Sequence, residues 1–262
     1  MKHFLHFIAL LFLISGYAVF GQDGNNARFN YTYTTILLDS TIAQRENAPM
    51  KSLIDSLQKQ LDDKMNVVIG KSNATLTSFL PSSPLSNLLT DMLFHYGNAY
   101  SMQHDGIPAD MSLLNFGGIR SSIPQGDITV GTLYNVLPFD NAMVVIISLK
   151  GSELTKVFQR FTDRKNQPYS QLQIRYHNLK PFQILLNNEK IEDDRLYRLV
   201  TIGFIANGGD QILTDISFEN IIHTDALLRD VIIDEIKQVT ASGKSLELID
   251  DDRVLIDIQY RQ

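Results

Sequence analysis

A chain of 262 residues with 44% apolar side chains, 23 basic and 29 acidic groups and no cysteine has ample material for a buried core. The missing cysteines exclude disulfides, thiol catalysis and thiolate metal sites. A net charge of −6 argues against a nucleic-acid binder, and the apolar content argues against disorder.

Lys2 is followed by an apolar run over residues 4–14, broken only by His6, then by Ser15 and Gly16. Val19 and Gly21 suit the −3 and −1 positions of a signal peptidase, so residues 1–21 read as a secretory signal peptide and the chain as exported, periplasmic or extracellular. At about 1.5 Å per residue the run is ~16 Å long, against ~30 Å of hydrocarbon core. Extended to Phe20 it reaches the lower limit of a span, which leaves an uncleaved anchor as the alternative. No other stretch approaches spanning length.

Residues 22–46 form an N-terminal extension, with alternation over 30–38 that predicts a strand. Leu53, Leu57 and Leu61 predict a helix over 48–65. Residues 67–70 read as a short buried strand, and Ser83-Pro84 as a helix start with Leu85, Leu88, Leu89, Met92, Leu93 and Tyr96 on its apolar face. Residues 111–114 form a short strand. Residues 142–149, with Val144-Val145-Ile146-Ile147, form the strongest strand, buried on both faces. A helix follows over 151–161, then strands over 171–175, 183–186 and 197–204, a helix over 226–239 and a last strand over 253–259. The expected fold is α+β, a mixed sheet with packed helices in one compact domain over 47–262.

The chemical inventory is sparse. His95, His104, His177 and His223 form no metal-binding spacing, with His95 read near a helix end and His104 in a loop. There is no nucleophile elbow, and Asp250-Asp251-Asp252 reads as a solvated turn. No catalytic residue and no metal ligand is assigned.

Three glycine-bearing motifs carry the signal. Asn115-Phe116-Gly117-Gly118-Ile119-Arg120 follows a strand; Leu137-Pro138-Phe139-Asp140-Asn141 leads into the buried one; Phe204-Ile205-Ala206-Asn207-Gly208-Gly209-Asp210 closes another. Paired glycines permit sharp turns and close approach of a ligand to backbone. Two rings could sandwich a base, a carboxylate could accept both hydroxyls of a ribose, and an arginine could meet an anionic end.

The ordered set resembles the C-terminal, substrate-binding domain of the 5′-nucleotidase family. The resemblance includes Pro84-Leu85-Ser86-Asn87-Leu88-Leu89-Thr90-Asp91, the Gly126-Asp127-Ile128-Thr129 turn and Leu149-Lys150-Gly151-Ser152-Glu153-Leu154, and spans about residues 50–260. It implies that Phe139 and Phe204 stack on a base, Asp210 holds the ribose, Arg120 contacts ribose or phosphate, and Asn115 reaches the base side, on backbone shaped by Gly117, Gly118, Gly208 and Gly209. Two departures stand out. Residues 77–83 hold no arginine where relatives carry one for phosphate, and Gln211-Ile212 replace a glycine and an aromatic.

The family's metallophosphoesterase half, which carries the metals, has no counterpart among these motifs. The resemblance therefore implies a nucleotide-recognition subunit that binds a nucleoside or nucleotide, with no cofactor of its own. The divalent metals would lie on a separate metallophosphoesterase protein. The alternatives are a non-catalytic nucleoside- or nucleotide-binding module and a structural domain with a degenerate pocket.

Overall fold

The computed structural model describes residues 32–35, 47–162, 164–248 and 251–257. The signal-peptide reading and most of the strand expected over 30–38 lie outside these; residues 32–35 carry no regular structure. Residues 1–51 and 52–262 are separate units, and all but the first turn of the first helix described below belongs to the second.

In chain order the elements are α1 (Ala48–Met65), β1 (Val68–Ser72), α2 (Pro84–Asp105), β2 (Met111–Ser112), β3 (Gly126–Thr129), α3 (Val130–Val136), β4 (Met143–Lys150), α4 (Gly151–Gln159), β5 (Leu172–His177), β6 (Lys180–Leu186), β7 (Glu189–Lys190), β8 (Leu196–Ile202), α5 (Gly203–Ala206), β9 (Asn220–Leu227), α6 (Leu228–Ala241) and β10 (Val254–Asp257). The α+β expectation holds. The strands divide among a central sheet in the order β2-β8-β4-β9, a second sheet in the order β10-β5-β6-β7, and the pair β1-β3. No described helix is long and apolar enough to cross a membrane.

Local chemistry explains the helix ends. Ser83, in extended backbone, accepts from the Ser86 amide while the Ser86 hydroxyl accepts from the Ser83 amide at 3.2 Å, and Pro84 occupies the first helical position. Gly106, at φ 77°, closes α2 in the left-handed region. The helix outruns its expected length. His95 is therefore mid-helix, 3.9 Å from Glu235, and His104 lies in the last turn, stacked on Tyr100, rather than in a loop.

The apolar run in β4 is buried on both faces: β8 and β9 flank its edges, and α2 and α4 pack against the sheet. At Gly97 on α2 a Cβ would stand 2.4 Å from the Val200 methyls, so the glycine sets how closely helix and sheet approach.

Sheet register brings several chain segments to one place. Strands β2 and β8 run parallel, so the segments after Ser112 and after Ile202 leave the sheet at the same end. Antiparallel pairing of Val144 with Ile202 brings the start of β4 there, and pairing of Met143 with Leu227 adds the end of β9.

Three buried or half-buried arginines tie distant elements together. Arg253 donates to Asp91 (2.9 Å), Asp251 (2.7 Å) and the Tyr169 carbonyl (2.7 Å), so Asp251 belongs to an internal ionic cluster rather than a solvated turn. Arg198 on β8 donates to Ser101 (2.6 Å) and Asp105 (2.6 Å) on α2. Arg229 acts at the site described below.

The hydrogen bond from Arg198 holds the pKa of the Asp105 carboxyl down at about 2. A carboxylate whose pKa is lowered on folding stabilises the fold above its unfolded value of ~3.9 and loses that contribution as pH falls toward the folded value. Asp105→Asn is expected to unfold at lower urea than the native chain at pH 7, with the difference shrinking between pH 4 and 2. A difference that stays constant with pH would contradict the pairing.

Candidate functional site

Asn115, Gly117, Gly118, Arg120, Phe139, Phe204 and Asp210 line one cavity of ≈300 Å³, together with Arg229 and the apolar side chains of Leu114, Leu137 and Leu228. The volume is at the lower end of the ~300–1,000 Å³ of small-molecule sites. The cavity forms where the register gathers the chain: Asn115 follows β2, Phe139 precedes β4, Phe204 follows β8 and Arg229 follows β9.

Asn115 is buried and donates its Nδ2 to Asp210 Oδ2 at 2.6 Å. Asp210 occupies the left-handed region at φ 52°, which Asp tolerates better than most residues. Neither Gly117 nor Gly118 has positive φ, so the sharp-turn reason expected for this pair does not apply. Their role is space. A Cβ at Gly118 would stand 3.0 Å from Asn115 Oδ1, and one at Gly117 would stand 3.3 Å from both Asn115 Nδ2 and Asp210 Oδ2.

Phe204 is on the short helix α5, not at the end of a strand as expected, because β8 stops at Ile202. Its ring lies against the Gly209 backbone, where a Cβ would approach Cε1 to 2.4 Å. Gly208, at φ 87°, makes the left-handed turn that a side chain would strain. Gly208 and Gly209 line a second depression behind Phe204, shared with Met143 and His223, rather than the first cavity.

Phe139 is 42% exposed and Phe204 40%, and among the described residues neither ring pairs with another aromatic. The Arg120 guanidinium sits 5.2 Å from the Phe139 ring centre, a cation–π distance.

Sequence reasoning missed Arg229. It is 4% exposed, donates Nη1 to the Leu137 carbonyl (3.0 Å) and Nη2 to Asp140, and lies over the Tyr134 ring at 3.8 Å. One guanidinium thus grips the chain on both sides of Phe139, while its buried Nε has no hydrogen-bond partner among the described residues. A signal was present: a cation in the first turn of α6 opposes the helix dipole, so its place there calls for a partner elsewhere.

The 5′-nucleotidase C-terminal domain matches residues 67–215, more than half of the chain. The chain belongs to that family. A 5′-nucleotidase precursor from Thermus thermophilus superposes with a TM-score of 0.65 and 25% identity, over 82% of this chain and 44% of that one. Protein UshA of Escherichia coli is 30% identical over 195 residues, covering 72% of this chain and 32% of its own length. An apyrase of Tabanus yao is 26% identical over 219 residues, covering 73% and 38%. As a 5′-nucleotidase C-terminal domain, the chain spans about a third of the length of these curated relatives.

The grip of Arg229 on the Phe139 loop has a measurable consequence. Arg229→Lys keeps the charge but not the fork, and is expected to lower the unfolding free energy by about 1–3 kcal/mol, because the buried Leu137 carbonyl loses its donor. Asp140 is 78% exposed on its side chain, so Asp140→Asn is expected to cost under ~1 kcal/mol. Equal costs in urea titrations would mean that the ion pair, not the carbonyl contact, holds the loop.

Proposed function

We propose that the chain is the exported nucleotide-recognition half of a 5′-nucleotidase-type hydrolase, binding base and ribose. The observation that carries this reading is the meeting of two half-exposed phenylalanine rings and one pre-positioned carboxylate around a single cavity.

Each ring offers an apolar face to a flat heterocycle, and base–aromatic stacking contributes about 1–3 kcal/mol per base. Asp210 commits one lone pair to Asn115 and keeps acceptor capacity for the two hydroxyls of a ribose cis-diol. The Asn115 bond orients that carboxylate before ligand arrives, which lowers the ordering cost of binding. Arg120 supplies a cation at the cavity wall in a chain whose net charge is −6, where an anionic ligand is otherwise repelled.

The described residues do not fit the divalent metals that hydrolysis in this family implies: they contain no group of three or more His, Asp or Glu that could hold one. In this reading a separate metallophosphoesterase chain bears the metals, and the present chain binds and orients the nucleotide. Export through the leader at residues 1–21 belongs to the same proposal.

A thermal-shift titration tests the reading. A ligand at ~100 times its dissociation constant stabilises the folded state by ~2.7 kcal/mol. Adenosine and adenosine monophosphate are expected to raise the melting temperature, and Phe204→Ala and Asp210→Ala to abolish the rise. The chain alone is expected to release no phosphate with Mg²⁺, Mn²⁺ or Zn²⁺. No stabilisation by any nucleoside or nucleotide contradicts the binding role, and turnover by the pure chain contradicts the division of labour.

A further inference from the structure

Asp210 also lines a second cavity, of ≈430 Å³, whose wall carries three cations, Arg160, Arg164 and Lys165, beside Phe116. Among the described residues lining it, Asp210 is the single acid. Arg160 donates to the Thr214 carbonyl (2.6 Å), whereas the side chains of Arg164 and Lys165 have no hydrogen-bond or ion-pair partner among the described residues. Three cations gathered on one wall repel one another, and for two of them no hydrogen bond or ion pair among the described residues offsets that repulsion.

The segment that bears them is fastened to the first cavity. Gln167 Oε1 accepts from the Phe116 amide at 3.0 Å, and the Pro168 carbonyl accepts from the Leu114 amide at 2.9 Å. Asn166, 1% exposed, donates to the Pro81 carbonyl (2.7 Å) and accepts from the Tyr176 hydroxyl (2.8 Å). The cationic loop therefore shares its anchor with the turn that follows Asn115, and the two cavities share Asp210 as a common wall.

We propose that this second cavity is the subsite for the 5′-phosphate, or short phosphate chain, of a nucleotide whose base and ribose occupy the first, with Arg164 and Lys165 as its principal contacts. The inference rests on the nucleoside reading above. In a nucleotide the 5′-carbon is two bonds from the carbon bearing the 3′-hydroxyl. A ribose held by Asp210 thus presents its phosphate within reach of a cavity that Asp210 borders. Arginine forks and a lysine ammonium match phosphate oxygens through charge-assisted bonds. Arg120 stands on the wall of the first cavity, 5.2 Å from the Phe139 ring centre, and does not line the second.

Calorimetric titration of the full chain with adenosine and with adenosine monophosphate at low salt tests this. The monophosphate is expected to bind at least about tenfold more tightly than adenosine, a margin that shrinks with added NaCl. The double variant R164Q/K165Q, on exposed side chains, is expected to lose most of that margin while adenosine affinity stays within about twofold. If adenosine binds and the monophosphate gains nothing, or if the gain survives in the double variant, the second cavity is not the phosphate subsite and the nucleoside reading stands. If neither ligand binds, both fall.

Discussion

The hydrogen bond from Asn115 to Asp210, 2.6 Å long and joining residues 95 apart in sequence, is the contact on which the site depends. It couples the segment leaving β2 to the segment leaving β8, two parallel neighbours whose carboxyl ends point the same way. Ligand sites recur at such strand ends because chain leaving the sheet there is free to shape a pocket while the strands stay rigid. The bond holds a non-glycine residue at positive φ, and the two glycines of the opposing turn are small so that the pair can close. Burial of Asn115 raises the value of the contact, since an unpaired buried amide costs ~1–3 kcal/mol.

Around that contact, packing devices hold the two rings. Phe204 is set by the absence of a side chain at Gly209, and Phe139 by a guanidinium that binds the backbone before it and the carboxylate after it. Both rings keep about two-fifths of their surface open. A core phenylalanine has no reason to remain so exposed, yet a buried arginine and a glycine-only backbone approach keep these two in place.

Much of this was legible in the sequence because the informative residues are punctuation. Ser83-Pro84 marked the start of α2, the Val-Ile run marked β4, and the glycine motifs marked the turns that carry Asn115, Phe204 and Asp210. What escaped was set by tertiary context. The β9 strand, with Asn220, His223, Thr224 and Asp225 among its residues, pairs with β4 through backbone and lacks a strong apolar alternation. The Gly126-Asp127-Ile128-Thr129 stretch read as a turn, yet it pairs with β1 as a strand. Arg229 sat in what read as an ordinary amphipathic helix, and only the register placing Leu227 beside Met143 brings it under the Phe139 loop. The reason for Gly117-Gly118 was likewise invisible, because it is the room taken by the Asn115 amide and, at Gly117, by the Asp210 carboxylate from far along the chain, rather than backbone torsion.

A crystal structure of the chain grown with adenosine bears most directly on the central claim. The purine is expected between the rings of Phe139 and Phe204, with both ribose hydroxyls within hydrogen-bonding distance of the Asp210 carboxylate. Density for the nucleoside behind Phe204, beside His223 and Met143, or an Asp210 carboxylate turned away from the sugar, would contradict it.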